Sequence, residues 1–185
     1  MHTIQAYFGK PVVAQYDDVR DRLWTDSFDP TVGISEDRAR YVTALLDQYK
    51  AYVEMADRSS ARRGLTNTFF LTLNTAVLTI VGVFWNRQPG APSWFLLIPL
   101  FALLGECLAW FWLVRSYRQL NTAKYMVVGA LEEHLPASPY WRAEWKALGE
   151  GRDPRQYLPL SHLEQWVPAL FGFIYTATFI IVLIQ

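Results

Sequence analysis

Glu106 sits near the middle of the run Trp94–Val114, which is otherwise apolar and long enough to span a membrane. No other ionisable carboxylate or base lies in that run. A charged group at bilayer depth costs several kcal/mol, about 3 on insertion scales. Glu106 is therefore expected to be protonated, paired with a polar group, or facing water, and each outcome means that its helix does not stand alone in lipid. A second polar set lies in the apolar run Leu65–Trp85. There Thr68, Thr72, Thr75 and Thr79 recur at helical spacing, with Gly64 and Gly82 on the same side and Asn67 and Asn74 as an adjacent strip. If the two runs form an antiparallel hairpin, Asn74 and Glu106 reach nearly the same depth, so Asn74 or a threonine is the expected partner of the acid.

Two chemistries fit these residues. Threonine hydroxyls can bond back to their own helix, and small residues promote close helix packing, which makes the set glue between helices. The same strip could instead wall a water-filled path, with Glu106 repeated around a symmetry axis as a ring of acids that favours cations or protons. Ile98, Ala102, Gly105 and Ala109 form a small-residue stripe that reads as another packing face.

Enzymatic chemistry has little support, and no catalytic residue is assigned. There is no GxSxG, phosphate-loop or dinucleotide-binding glycine pattern. One cysteine, Cys107, and the scattered His2, His134 and His162 offer no metal-ligand spacing, so neither metal nor cofactor is expected. Glu132-Glu133-His134 reads as a solvated helix terminus, because adjacent acids diverge around a helix. Lys and Arg number 17, and Asp and Glu 17, so the basic excess of a nucleic-acid binder is missing.

These residues must be positioned by helices. The chain has 185 residues, and its hydrocarbon is concentrated in segments 65–85, 94–114 and 166–185. Each is about 20 residues, enough to cross a core of about 30 Å. Segment 1–34 reads as an irregular arm, with Gly9, Pro11, Pro30 and Gly33 as punctuation. Its Tyr7, Phe8, Tyr16, Trp24 and Phe28 are too many aromatics for an inert tail, so the arm is expected to pack on something. Ser35 is a candidate N-cap with Glu36 and Asp37 in the first turn. Val42, Leu45, Leu46, Tyr49, Val53 and Ala56 follow at helical spacing, and no proline interrupts before the first span ends. Their stripe is expected to pack against another helix or another copy. The second span continues as a stripe through Tyr117, Leu120, Lys124, Val127 or Val128, Leu131 and Leu135, ended by Pro136. Residues 35–136 thus read as a helical hairpin. Residues 137–165 form a connector with one short helix around Trp141, Trp145 and Leu148. Ser161 to Glu164 is a capping-box pattern that starts the third helix, and Pro168 inside that helix makes a kink expected near Glu164–Trp166.

Basic residues flank one side of the spans: Lys50, Arg58, Arg62 and Arg63; Arg115, Arg118 and Lys124; Arg152 and Arg155. The loop between the first two spans carries only Arg87. This asymmetry puts the N-terminus in the cytoplasm and the C-terminus at the outer face.

Several stretches resemble a known family: Phe69-Phe70-Leu71-Thr72-Leu73-Asn74-Thr75, the run from Arg115 to Lys124, Leu131-Glu132-Glu133-His134-Leu135-Pro136, and Tyr157 to Glu164. They look like the bacterial RipA family of octameric membrane proteins, and are similar to the wider SLATT group of small membrane effectors proposed to form pores in antiphage defence. The resemblance covers roughly residues 35–184 and implies a bacterial inner-membrane location and a homo-octamer. It supplies no catalytic residue.

The reading is an all-α membrane protein with three spans and long cytoplasmic extensions of the first two. Its expected partners are lipids and copies of itself, with an unidentified protein partner also open. It is read as a non-enzymatic homo-oligomer that forms an ion-permeable pore or acts as a defence- or stress-type membrane effector, with a membrane-anchored assembly scaffold whose cytoplasmic helices dock a protein partner as the alternative.

Overall fold

The computed structural model describes residues 15–24, 35–87, 90, 92–151 and 160–184, and the described residues form helices and turns without strands. Helix α1 is Tyr16–Leu23, α2 is Ser35–Arg87, α3 is Leu97–Glu132 and α4 is Leu160–Ile184. A single turn of tighter helix, Ser93–Leu96, leads into α3. Helices Asp37–Arg87, Ser93–Glu132 and Leu163–Ile184 are each long and apolar enough to cross a membrane. The expected all-α fold with three spans and extended helices is the fold found.

The length of α2 has a simple cause. Nothing between Ser35 and Arg87 removes a backbone donor, and Gly64 and Gly82 are the only weak helix formers of their kind within it. Helix α4 runs as one element through Pro168, which is fully buried, although the ring removes one backbone donor.

Contacts divide the chain into two compact units. One contains residues 1–59 and 119–158; the other contains 60–118 and 159–185.

In the second unit, α2, α3 and α4 share a core. Phe70, Trp110 and Val114 are buried together, with Val167 and Phe171 against them. Leu103, Cys107 and Tyr175 form a second buried group with Val77 and Leu100. The Phe70 and Trp110 rings stack at 5.7 Å, 8° from parallel. Arg63 pairs with Glu164 at 3.1 Å, and Arg118 donates to Gln165 at 3.3 Å. These contacts gather the start of the first span, the end of the second and the start of the third at one end of the unit. The capping role read for Ser161 lies outside the described side chains.

In the first unit, part of the N-terminal arm departs from expectation. Residues 16–23 are helical, with Asp17 and Asp18 in the first turn and Arg20 and Arg22 in the last, as the helix dipole favours. The arm does pack: the Tyr16 ring stacks on Trp141 at 4.7 Å, and Trp24 lies 3.9 Å from the His134 ring. Tyr7, Phe8 and Phe28 lie outside the described residues. The stripe on the first part of α2 is largely used within the chain, with Leu45 and Ala56 buried, Leu46, Tyr49 and Val53 half-buried, and Val42 exposed.

Beyond α3 the chain turns at His134 and Leu135, whose N–H groups donate to Leu131 and Glu132 carbonyls. Segment Pro139–Glu144 is wide-turned π-helix, continued by Trp145–Ala147, so the expected short helix is present. It stops at Gly149 and Glu150, both in left-handed backbone with φ of 65° and 54°. Glycine suits that conformation; Glu150 carries a side chain there at some strain.

Candidate functional site

Two polar centres stand out, one in each unit. In the spans the centre is Asn74, only 1% exposed. Its Nδ2 donates to the Phe70 carbonyl at 2.8 Å, and its Oδ1 accepts from the Tyr175 hydroxyl at 2.7 Å. The Cys107 thiol approaches the same oxygen at 4.0 Å. One amide thus ties all three spans together. One layer away, Trp110 Nε1 donates to Asn67 Oδ1 at 2.8 Å. Both asparagines face the protomer core, where an unpaired amide would cost several kcal/mol in hydrocarbon.

The expected bond from Glu106 to Asn74 or a threonine of the first span is not found among the described residues of the chain. Asn74 does lie level with this stretch of α3, beside Cys107, but successive helix residues point about 100° apart. That rotation puts Cys107, not Glu106, against Asn74. Glu106 is half-buried at the edge of the packed face, and its Oε1 is buried without a hydrogen-bond partner among the described residues.

The threonines and asparagines also separate. Thr68, Thr72, Thr75 and Thr79 are all exposed, on the side of α2 away from its packed face. Each hydroxyl donates to the carbonyl four residues earlier, at 3.2, 2.9, 2.8 and 2.8 Å in that order. Self-bonding of this kind satisfies the proton but leaves an oxygen lone pair to accept. Ala102, Gly105 and Ala109 of α3 are exposed as well, and the direction of a Gly105 Cβ is open space.

The second centre corrects the reading of Glu132-Glu133-His134 as a solvated terminus. Glu133 and His134 are exposed, but Glu132 is 1% exposed and accepts four hydrogen bonds. Oε1 takes the Tyr49 hydroxyl at 3.0 Å and the Tyr140 N–H at 3.1 Å. Oε2 takes the Ser138 hydroxyl at 2.7 Å and the Trp141 N–H at 2.9 Å. The logic is that of a helix N-terminus, whose first N–H groups have no partner of their own. Pro139 has no N–H, Glu132 receives the next two, and Ser138 Oγ receives that of Arg142 at 3.2 Å. A Ser-Pro pair shortly after an acid was the available signal, though it does not say which acid folds back. Trp141 then lies flat on the backbone at Gly129, where an added Cβ would sit 2.6 Å from its ring.

Tyr16 completes this centre by donating to Glu133 Oε1 at 2.9 Å. Burial, then the Glu133 bond and charge, push its phenol up to about 12 from 10.0. The protonated phenol is thus the docked form. Its contribution is full below pH 10, where undocked tyrosine is also protonated, and is lost as pH rises through about 12. Protease susceptibility of α1 should therefore rise between those limits in wild type and show no such step in Tyr16→Phe.

Asn74 gives a second test. Asn74→Leu strands the Tyr175 hydroxyl, at a cost of about 1–2 kcal/mol per intramembrane bond. Adding Tyr175→Phe removes the stranded donor, so the double variant should regain part of the loss in thermal unfolding in detergent. Strictly additive losses would show that the two side chains do not interact.

Among the described residues, no group of three or more His, Cys, Asp or Glu could hold a metal ion. Residues 46–184, most of the chain, match the family model described as "Octameric membrane protein family (8xMP)". The chain belongs to the octameric membrane protein family. The family region begins inside α2 and includes Asn74, Glu106, Tyr175 and Glu132, while α1 precedes it. No curated protein and no solved structure matches the chain.

Proposed function

We propose that the chain forms a homo-octamer in the bacterial inner membrane and acts as a non-enzymatic, membrane-anchored scaffold. One observation carries this reading. The asparagines that could have lined a wet path are spent inside the protomer, on Tyr175, Cys107 and Trp110. The family description supports assembly into eight copies. The distribution of Lys and Arg supports a cytoplasmic N-terminus, with the unit built around Glu132 presented to a cytoplasmic protein partner. The motif resemblance to the RipA family supports the inner membrane as location.

The exposed threonine line favours a second reading, an ion-permeable pore with the effector role that the SLATT resemblance implies. Planar-bilayer recordings on the purified particle, with its mass measured in parallel, separate the two. The scaffold reading expects an intact octamer with no conductance above that of empty bilayers. Cation conductance whose selectivity is lost in Glu106→Gln would establish the pore instead.

A further inference from the structure

We infer that neighbouring copies meet through two different faces, the threonine face of α2 on one copy and the Ala102–Gly105–Ala109 edge of α3 on the next, with Glu106 hydrogen-bonding to Thr75 across the joint. The inference rests on the oligomeric reading and names the surface that builds it.

The spans expose two kinds of surface. Leu65, Phe69, Ile80, Phe101 and Phe173 are large and 59% to 71% exposed, as suits fluid acyl chains. The threonine face and the Ala102–Ala109 edge are small, and Gly64, Gly82 and Gly105 have open space where a Cβ would be. In lipid, small faces gain from close backbone approach to another helix, and each helix here already has its partners within the copy on a different face. The missing partner is therefore a helix from outside the copy.

Polar chemistry points to the same pairing. Glu106 is half-buried at the margin of the α3 edge, so part of its side chain reaches the protomer surface there, and its Oε1 finds no hydrogen-bond partner among the described residues of its own copy. The threonine hydroxyls keep a free lone pair after bonding to their own helix. With the Thr75 proton already given to the Leu71 carbonyl, a protonated Glu106 carboxyl is the donor and the Thr75 hydroxyl oxygen the acceptor.

Register decides which residues meet. Asn74 lies level with Cys107, and Phe70 with Trp110, in the antiparallel pair. Thr72, Thr75 and Thr79 are then level with Ala109, Glu106 and Ala102. In a ring whose axis is normal to the membrane every copy sits at one depth, so this register also holds between copies. Three threonines thus face two alanines and the acid, each to each. Two unlike faces make a head-to-tail contact, which closes into a ring when the rotation permits.

Disulfide trapping in a Cys107→Ser background tests this. Thr72→Cys combined with Ala109→Cys, and Thr79→Cys combined with Ala102→Cys, should each give a ladder of cross-linked multimers on mild oxidation. Thr72→Cys combined with Ala102→Cys is displaced by about 10 Å along the axis and should give none. Each single-cysteine variant should give no dimer. Particle mass is measured on the same samples. An intact oligomer without ladders from both matched pairs overturns the interface and leaves the oligomeric reading standing. Dimers from the single variants overturn it too, by showing like faces in contact. Monomeric wild type overturns both.

Discussion

Glu132→Ala should destabilise the unit of residues 1–59 and 119–158 by about 4 kcal/mol, the largest single-residue effect expected in the protein. The substitution strands the hydroxyls of Tyr49 and Ser138 and the N–H groups of Tyr140 and Trp141. An unsatisfied buried donor costs about 1–3 kcal/mol, and partial opening to water recovers some of the total. Segment 133–151 should become protease-sensitive well below the melting temperature of the remainder. Glu132→Gln should fall between wild type and alanine, because an amide has one accepting oxygen where the carboxylate has two. Wild-type protease resistance in Glu132→Ala would mean that the carboxylate does not organise the turn.

Gly129→Ala should also destabilise, against the usual sign for such a change in a helix. Alanine is favoured over glycine by about 1 kcal/mol in a helix interior. Here its Cβ would lie 2.6 Å from the Trp141 ring, which cannot yield without leaving its stack on Tyr16. Overpacking of this kind costs about 1–3 kcal/mol, which outweighs the propensity gain. A lower melting temperature with faster proteolysis of α1 is the expected pair of results. A raised melting temperature would show that the ring is free to move.

The spans and the long helices were legible because they depend on one-dimensional properties. Hydrocarbon runs of membrane length mark the spans, and the absence of proline from α2 before Arg87 lets one helix run through. Depth was legible for the same reason, and Asn74 does lie at the level of residues 106 and 107. Azimuth was not, because neighbouring residues differ by about 100° and the rotation of each helix is set by packing of all three. So Cys107 took the place expected for Glu106, and Tyr175, in a segment that otherwise reads as lipid-facing, became the strongest partner of Asn74. Glu132 was not legible, because an acid adjacent to Glu133 at a helix end reads as solvated. Three of its four donors come from beyond the turn at Pro136, and a charge pattern carries no information about where the following residues return.

The central claim is that the polar residues of the spans hold helices and copies together in a dry bundle. Reaction of Thr72→Cys and Thr75→Cys with a small, charged, water-borne thiol reagent tests it directly. The variants are made in a Cys107→Ser background and assayed as intact particles in vesicles, with reagent on both sides. The account predicts that both cysteines stay unmodified until detergent separates the copies. Rapid modification of both in the intact particle would place them on a water-filled axis and contradict it.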